Sequence, residues 1–328
     1  MSSVASSVTV RSLAKINLDL RVLHRNSNGF HELRTIFQTI SLGDTIEIEY
    51  ERAPRTSITI EGNVEIPNNL IVRAAEAVLR AWGVCARVRF KLDKRIPMGG
   101  GLGGGSSNAA AVLLALPVLA GRSAPVEEIG AELGSDVPFF LQGGTALGVG
   151  RGTEIYPLSD VIEEEVLVVS TGLHVATGAA YEALGRGLTF TESSSSINSF
   201  QGFVRALSER RRASLASALS ENDFETVVFR QYPQLKTILG KLSKHGSASQ
   251  IVARMTGSGS AIFGVFGSRE ERERAQTGLE RDRAFRGCAM MPAKMVSRRS
   301  YQRLWRRQLR EFLDSGDDLW PPRSRYAR

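Results

Sequence analysis

Cysteine and histidine are scarce in this chain of 328 residues. It has two cysteines, Cys85 and Cys288, and four histidines, none of which follows a metal-ligand spacing such as HExxH. Two cysteines exclude a disulfide framework and a zinc centre built from cysteines. No apolar run approaches the roughly 18 residues that a transmembrane helix needs, and residues 1–8 lack the basic start and apolar stretch of a secretory signal. We therefore expect a cytoplasmic protein that has no membrane partner.

Acidic residues are outnumbered, but the positive excess lies mostly at one end of the chain. The net charge is +8, and residues 297–328 hold nine arginines against four acidic residues, so that +5 of the total lies there. The other 296 residues carry only +3. Because a nucleic-acid-binding surface is strongly basic, nucleic acid is not an expected partner of the body of the protein.

The C-terminal extension, residues 297–328, is predicted to be a docked helix. If helical, it places six large apolar residues on one stripe: Tyr301, Leu304, Trp305, Leu309, Phe312 and Leu313. Such a helix would pack on the body or on another chain; contact with a nucleic acid or an acidic partner, and disorder, are the alternatives. As an appended helix it should be removable with little loss of activity.

Hydrophobic periodicity divides the rest of the chain into two α+β domains, residues 1–157 and 158–296. In the first, strands are predicted over 7–22, 43–50, 57–61 and 86–92, and two helices over 69–82 and about 106–119. In the second, strands are predicted over 166–170, 250–255, 261–266 and 288–296, and helices near 176–184, 199–219, 233–244 and 269–281. The Ser-rich segment 193–196 is predicted to be a mobile loop before a helix.

The most informative segment is 97–107 (PMGGGLGGGSS), in which glycine fills six of seven consecutive positions. Glycine costs about 0.5–1 kcal/mol relative to alanine in regular structure, so this run indicates a backbone that must approach a ligand closely. Backbone N–H groups of such a loop, together with the start of the following helix, bind phosphate. A flexible linker is the alternative, but a linker would not lead directly into an apolar helix.

The loop differs from two common phosphate motifs. It lacks the Gly-Lys-Ser/Thr ending of a Walker loop. Gly99, Gly101 and Gly104 satisfy G-x-G-x-x-G, but a dinucleotide site also needs an acidic residue at the end of the next strand. Here the next acidic residues, Glu127 and Glu128, begin a predicted helix. Both motifs are therefore excluded.

Several segments resemble the GHMP kinases, the family of galactokinase, homoserine kinase, mevalonate kinase and phosphomevalonate kinase. They are, in order, the strand 14–18 (AKINL), the glycine loop 97–107 and a late glycine motif at 255–261 (MTGSGSA). Three more segments resemble, within that family, the 4-diphosphocytidyl-2-C-methyl-D-erythritol kinases; they are 28–33 (NGFHEL), 69–75 (NLIVRAA) and 134–140 (GSDVPFF). The resemblance covers about residues 10–296.

The resemblance implies a fold and a reaction. The fold pairs an N-terminal domain of ribosomal-protein-S5-domain-2-like topology with a ferredoxin-like C-terminal domain, and the active site lies between them. The reaction is transfer of the ATP γ-phosphate to the 2-hydroxyl of 4-diphosphocytidyl-2-C-methyl-D-erythritol, in the methylerythritol phosphate (non-mevalonate) route to isoprenoids. A GHMP kinase for homoserine or mevalonate, and an ATP-binding regulator without catalysis, are the alternatives.

The resemblance assigns catalysis to Lys15 and Asp136. A carboxylate can accept the proton of the attacking hydroxyl, and a neighbouring ammonium keeps that carboxylate ionised and stabilises charge in the transition state. Taken without the resemblance, Lys15 is a strand-edge lysine and Asp136 a turn residue. The intact pair argues against a regulator that has lost catalysis.

ATP is the implied cofactor, and the resemblance places Asn69 and Leu70 at the adenine and the glycine loop at the phosphates. The residues assigned to ATP are Asn69, Leu70, Lys94, Pro97, Met98, Gly99, Gly100, Gly101, Leu102, Gly103, Gly104, Gly105, Ser106 and Ser107. Asn69 could instead cap the helix that starts there, or do both. Mg²⁺ is expected because it neutralises the β- and γ-phosphates, and Ser107 is the one candidate ligand.

The resemblance also implies a substrate site, and the expected partners of the protein are small molecules only. Its residues are Asn17, Phe30, His31, Thr177, Tyr181, Gly257, Ser258 and Gly259. A cytosine ring needs a flat apolar surface and a polar edge contact, which Phe30 and His31 can supply. The family usually has Tyr in place of Phe30, and core packing is the alternative role for Tyr181. The protein is expected to be a monomer or a homodimer.

Overall fold

The structure is a computed structural model that describes residues 5–27, 29–160, 164–188, 190–209, 220–245, 252–314 and 319–326. Its strands are β1 (Ser6–Arg25), β2 (His31–Arg52), β3 (Ser57–Gly62), β4 (Ala86–Asp93), β5 (Thr145–Gly150), β6 (Glu154–Pro157), β7 (Glu165–Ser170), β8 (Val252–Met255), β9 (Ile262–Phe266) and β10 (Ala289–Lys294). Its helices are α1 (Leu70–Trp82), α2 (Gly104–Ala120), α3 (Val126–Leu133), α4 (Val137–Gln142), α5 (Thr177–Leu184), α6 (Ser194–Glu209), α7 (Glu225–Gln231), α8 (Pro233–His245), α9 (Arg269–Glu280) and α10 (Arg298–Leu309).

A six-stranded sheet forms the first half of the molecule. The long strands β1 and β2 pair antiparallel, and the other edge of β2 pairs first with β5 and then with β4. The order is therefore β3-β4-β2-β5-β6, with β1 beside β2. Lys15 pairs with Thr39 of β2, between the part of β2 that faces β5 and the part that faces β4. Lys15 thus lies beside the point where β2 changes from pairing with β5 to pairing with β4.

Helix α2 connects the glycine loop to the core of this half. It is apolar on every side, which is typical of a fully buried helix, and residues 107–116 are all buried. It packs in one apolar cluster with β1, β2, α1, α3 and α4. Its N-terminus is therefore fixed, and with it the end of the glycine loop.

The second half is a four-stranded antiparallel sheet in the order β10-β7-β9-β8. Numbered within this half, the order is 4-1-3-2, and helices connect the first strand to the second and the third to the fourth. That is the ferredoxin-like arrangement predicted from the sequence. Apolar residues of both sheets, such as Ile16 and Val168, share one buried cluster, so the two halves meet beneath β1.

The C-terminal extension forms part of the core of the first half. Tyr301, Trp305 and Leu309 of α10 are buried in the same apolar cluster as α2. The other three residues of the predicted stripe are partly buried against it. The prediction of a helix docked on the body is confirmed. The expectation that it is removable stays a prediction, and the burial argues against it, because removal would take three buried side chains out of the core.

Some local predictions were wrong. Two additional helices, α3 and α4, precede β5, and α7 precedes α8; all three are eight residues or shorter, too short for a clear helical period. Strand β2 begins at His31 rather than 43, since its first half is buried on both faces and does not alternate. Residues 194–196 start α6 instead of forming a loop, and Ser193 Oγ accepts from Ser196 N at 3.2 Å.

Parts of three sequence predictions lie outside the described residues: 210–219 of the helix over 199–219, 250–251 of the strand over 250–255, and Asn28 of the segment 28–33. Among the residues that the structure describes, no helix has both the length and the apolar character to cross a membrane.

Candidate active site

Lys15 and Asp136 come together from a strand and the start of a helix. Lys15 Nζ lies 3.4 Å from Asp136 Oδ2, and the two side chains are 3% and 28% exposed. The ammonium also lies 5.4 Å from the centre of the Phe37 ring. Asp136 directly precedes α4, and its side chain makes no capping hydrogen bond to that helix. A buried cation therefore faces a carboxylate that solvent and a ligand can reach.

Asn17 connects Lys15 to the late glycine motif. Its Oδ1 accepts hydrogen bonds from Lys15 Nζ at 2.6 Å and from Gly257 N at 2.9 Å. Its Nδ2 donates to Thr35 Oγ1 at 2.7 Å. In this structure the buried amide is engaged inside the protein, and its predicted contact with a substrate stays a prediction.

The two glycine motifs touch each other at Gly101. This residue has φ +75°, and a Cβ there would lie 2.1 Å from the carbonyl oxygen of Thr256. Ala261 N donates to Gly100 O at 3.2 Å, so backbone meets backbone. Only glycine permits both this approach and this φ without strain. The contact brings the phosphate-loop candidate against the second half of the chain.

The glycine loop also packs directly on Lys15. Lys15 N donates to Leu102 O at 3.0 Å. A Cβ at Gly103, which has φ +70°, would lie 3.1 Å from Lys15 Cγ and 2.8 Å from the Phe140 ring. A phosphate held by this loop would therefore lie beside the Lys15–Asp136 pair.

The residues predicted to hold adenine flank the same loop. A Cβ on Gly105 would lie 3.5 Å from Leu70 Cδ1. Asn69 Oδ1 accepts from Ile71 N at 3.0 Å, so Asn69 does cap α1. Its role at adenine stays a prediction. Pro97 and Met98 start the loop, and Met98 is exposed.

Lys94 and Ser107 make contacts inside the protein. Lys94 Nζ lies 2.5 Å from Asp44 Oδ2, and a Cβ on Gly104 would lie 2.6 Å from that nitrogen. Burial lowers the pKa of Lys94, and the charge of Asp44 opposes that shift. Ser107 Oγ donates to Leu13 O at 2.6 Å and is buried. Both side chains support the loop, and their roles toward ATP and magnesium stay predictions.

A cavity of about 700 Å³ is lined by Ser135, the residue directly before Asp136. Phe30, His31, Thr177 and Tyr181, which the sequence assigned to one substrate site, all line it. Burial and the nearby charge of Asp136 raise the pKa of Tyr181 to about 12. Thr177 Oγ1 lies 2.9 Å from Ser258 Oγ, which joins the cavity to the motif of Gly257, Ser258 and Gly259.

Tyr181 makes two ring contacts, one with His31 in the cavity and one with Phe224 behind it. The rings of His31 and Tyr181 are parallel within 20° and 4.9 Å apart, and Tyr181 meets Phe224 edge-on at 4.9 Å. Tyr181 therefore both lines the cavity and packs against the core. Phe30 is 48% exposed, and the guanidinium of Arg151 lies 3.6 Å from its ring centre.

His31 is held in its neutral form near pH 7. Burial is the main cause that lowers its pKa below the usual 6.5, and the charge of Arg25 adds to it. A hydrogen bond with the backbone of Arg186 opposes the shift. A neutral imidazole offers one donor and one acceptor, which suits the polar edge of a base.

Three arginines of the cavity, Arg25, Arg151 and Arg186, were not predicted from the sequence. Each is a single residue near a turn and belongs to no motif, so only the three-dimensional contact reveals them. His174 was not predicted either, and its Nδ1 would lie 2.6 Å from a Cβ on Gly99. The cavity lining holds these three arginines against Glu182, and Arg186 also pairs with Asp223 at 3.5 Å, so the lining has an excess of positive charge that suits an anionic substrate.

Among the described residues, no cluster of three or more His, Cys, Asp or Glu side chains could hold a metal ion.

Two protein-family models match this chain, one in each half of the molecule. The model for the GHMP kinases N terminal domain matches residues 69–144, and the model for the GHMP kinases C terminal matches residues 203–283. These two regions include the glycine loop and Asp136 in the first half, and the late glycine motif in the second.

Two proteins that are similar to this chain share one name. The 4-diphosphocytidyl-2-C-methyl-D-erythritol kinase of Solibacter usitatus is 48% identical over 324 residues, which cover 97% of each chain. The one of Pelotomaculum thermopropionicum is 38% identical over 264 residues, which cover 79% of this chain and 88% of that one.

Two solved structures share the fold. The crystal structure of a 4-(cytidine 5'-diphospho)-2C-methyl-D-erythritol kinase gives a TM-score of 0.72 at 33% identity, covering 88% of this chain and 99% of that one. The homoserine kinase of Cytophaga hutchinsonii gives a TM-score of 0.69 at 15% identity, covering 89% and 95%, which shows a common fold only. The predicted two-domain fold is thereby confirmed.

Proposed function

The chain belongs to the GHMP kinase family, and we propose that it transfers the γ-phosphate of ATP to the 2-hydroxyl of 4-diphosphocytidyl-2-C-methyl-D-erythritol. The observation that carries the proposal is the place of the Lys15–Asp136 pair. It lies between a glycine loop suited to phosphates and a cavity with aromatic and cationic side chains. The relatives at 48% and 38% identity bear the name of this activity.

Asp136 acts as the general base in this proposal. Its carboxylate accepts the proton of the 2-hydroxyl as the oxygen attacks the γ-phosphorus, and the bond between that phosphorus and the ADP oxygen breaks. The Lys15 ammonium, 3.4 Å from Asp136 Oδ2, stabilises the negative charge on the transferred group. Both side chains are positioned before substrate binds, so little reorganisation is needed.

The glycine loop binds the triphosphate of ATP. Its backbone N–H groups and the N-terminus of α2 are the donors, and the contact of Leu70 with Gly105 supports an adenine position near Asn69 and Leu70. Magnesium would be bound together with the triphosphate. Ser107 is the oxygen ligand that the chain could add, and the ion would neutralise phosphate charge.

The cavity binds the cytidine diphosphate end of the acceptor. Phe30 offers an exposed ring face to cytosine, and neutral His31, which stacks on Tyr181, offers its polar edge. Arg25, Arg151 and Arg186 offer charge to the diphosphate. Thr177 and the motif of Gly257–Gly259 connect this end to the reacting hydroxyl beside Asp136.

The cavity also separates this substrate from those of other GHMP kinases. At about 700 Å³, it lies within the roughly 300–1,000 Å³ that drug-sized ligands occupy. Homoserine and mevalonate would fill only a small part of it. They also lack an aromatic ring that could stack on Phe30.

Purified protein incubated with ATP and Mg²⁺ tests the proposal. ADP release should depend on 4-diphosphocytidyl-2-C-methyl-D-erythritol and should not occur at comparable rates with homoserine or mevalonate. It should be lost on chelation of magnesium and in the Asp136→Asn variant. A preference for either smaller alcohol would assign a different kinase of the family, and ATP binding without turnover on any of the three would favour a regulator. Cytoplasmic location and a monomeric or homodimeric state remain predictions.

A further inference from the structure

Helix α4 begins directly after Asp136 and is only six residues long. The last carbonyls of any helix have no N–H partner within the helix. In α4, Gly143 N donates to Phe139 O at 2.8 Å. The carbonyls of Phe140 and Leu141 need donors from elsewhere.

Both donors come from the C-terminal extension. Tyr301 Oη donates to Phe140 O at 2.6 Å, and Trp320 Nε1 donates to Leu141 O at 2.7 Å. The two rings are in edge contact with each other at 6.4 Å. Tyr301 is buried, and burial raises its pKa well above the usual 10, so its hydroxyl stays protonated and able to donate.

The extension also packs tightly on the turn after α4. Gly143 has φ +68°, and a Cβ there would lie 2.3 Å from Tyr301 Cδ1. At Gly144, a Cβ would lie 2.7 Å from the backbone nitrogen of Arg298. On another side of α4, Phe139 stacks on Phe37 at 4.8 Å, and Phe37 is the ring next to Lys15 Nζ.

From these contacts we propose that the C-terminal extension positions the general base: it fixes the far end of α4 and so holds Asp136 within reach of Lys15. The inference rests on the proposed role of Asp136. Six helical residues span only about 9 Å, so a displacement at the C-terminal end of α4 is transmitted to Asp136. A misplacement of about 1 Å can cost on the order of 100-fold in rate. Tyr301 and Trp320 are positioning residues and touch no substrate.

The test is the double variant Tyr301→Phe/Trp320→Phe, which keeps an aromatic ring at both positions and removes both donors. The matched control is Leu309→Ala, which removes a buried side chain from the same helix and core cluster but leaves both hydrogen bonds. For each protein, kcat, KM for both substrates and Tm are measured. Hydrogen exchange is followed in peptides over 137–143, with those over 126–133 as the internal reference.

We expect the double variant to lose about 5- to 100-fold in kcat, with KM for both substrates within about 3-fold and faster exchange in 137–143 only. Leu309→Ala should lower Tm at least as much and keep kcat within about 2-fold. Restoring Tyr301 alone should recover part of the lost kcat. A shift in the position of Asp136 should lower kcat and leave KM nearly unchanged, because it affects the reaction step rather than substrate binding.

Two results would overturn the proposal: a double variant with kcat within about 2-fold of wild type, or kcat that falls in step with Tm in both variants. Failure of the proposed function is distinguishable, because the wild type would then phosphorylate another alcohol or none. The kcat comparison is repeated with any alcohol that is accepted. If none is, exchange in 137–143 decides, and unchanged exchange in the double variant refutes the role of the extension.

Discussion

Lys15 Nζ lies 3.4 Å from Asp136 Oδ2, and different parts of the chain fix the two side chains. Asn17 and the Leu102 carbonyl hold Lys15 through its ammonium and its backbone nitrogen. Asp136 is held by α4, whose end is capped by Tyr301 and Trp320. The distance between the two charges therefore depends on the first strand, the glycine loop and the C-terminal extension together.

The catalytic pair gives the first prediction. Asp136→Asn removes the proton acceptor, and general-base catalysis contributes typically 10²–10⁴-fold, so kcat should fall by about that factor. Lys15→Ala should also lower kcat by orders of magnitude, since it removes charge stabilisation. KM for ATP should change little, because neither side chain is assigned to the nucleotide. Steady-state kinetics measure all three quantities.

Asp93→Asn is the control, since it makes the same chemical change on the exposed surface of β4. It should leave kcat unchanged. Should Asp136→Asn keep more than about a tenth of wild-type kcat, Asp136 is not the general base.

The glycine run of this site could be predicted from its composition, because core packing alone does not require six glycines in seven positions. Lys15 and Asp136 were assigned only through the resemblance to the GHMP kinases, since each taken alone is an ordinary strand-edge or turn residue, and their catalytic roles stay predictions. The structure adds what links them: the contact between Gly101 and Thr256, and Asn17 between Lys15 and Gly257. Such contacts join residues far apart in sequence, so no local pattern reports them.

The C-terminal extension shows which contacts could not be predicted from the sequence. Periodicity predicted a helix with an apolar stripe, and the structure contains it. Its partner could not be predicted, because the stripe of Tyr301 and Trp305 says only that something apolar covers it. Hydrogen bonds to Phe140 and Leu141 depend on the position of α4, which at six residues was too short to predict.

The contact between the two glycine motifs gives the second prediction. Gly101→Ala would place a methyl group 2.1 Å from Thr256 O at φ +75°, so it should lower the free energy of unfolding by at least about 2 kcal/mol. Gly105→Ala is the matched control, because its methyl would lie 3.5 Å from Leu70 and it is within α2. It should be neutral or stabilising by up to about 1 kcal/mol. Urea unfolding measures the free energy of unfolding of both variants, and equal values for Gly101→Ala and Gly105→Ala would refute the close contact.

The charge state of His31 gives the third prediction. Its pKa is lowered below 6.5, so the imidazole is neutral at pH 7 and becomes protonated only as the pH falls below that value. If the neutral ring contacts cytosine, KM for the cytidylyl substrate should be constant from pH 8 to about 6.5 and rise at lower pH. KM for ATP should stay constant over that range. A rise in the cytidylyl KM as the pH falls from 8 to 6.5 would argue against this contact. A KM that stays constant below pH 6.5 would argue against it too.

The exposed ring of Phe30 gives the fourth prediction. Stacking on a base is worth about 1–3 kcal/mol, so Phe30→Ala should weaken binding of the cytidylyl substrate by roughly 5- to 150-fold. Phe30→Tyr keeps the ring face beside Arg151 and should be nearly silent. Tyr156→Ala, which removes another exposed aromatic ring outside the cavity, should leave both affinities unchanged. The measurement is Kd for each substrate in each variant. Equal weakening of ATP and the cytidylyl substrate by Phe30→Ala would mean that Phe30 supports both sites indirectly, and its assignment to cytosine would then be withdrawn.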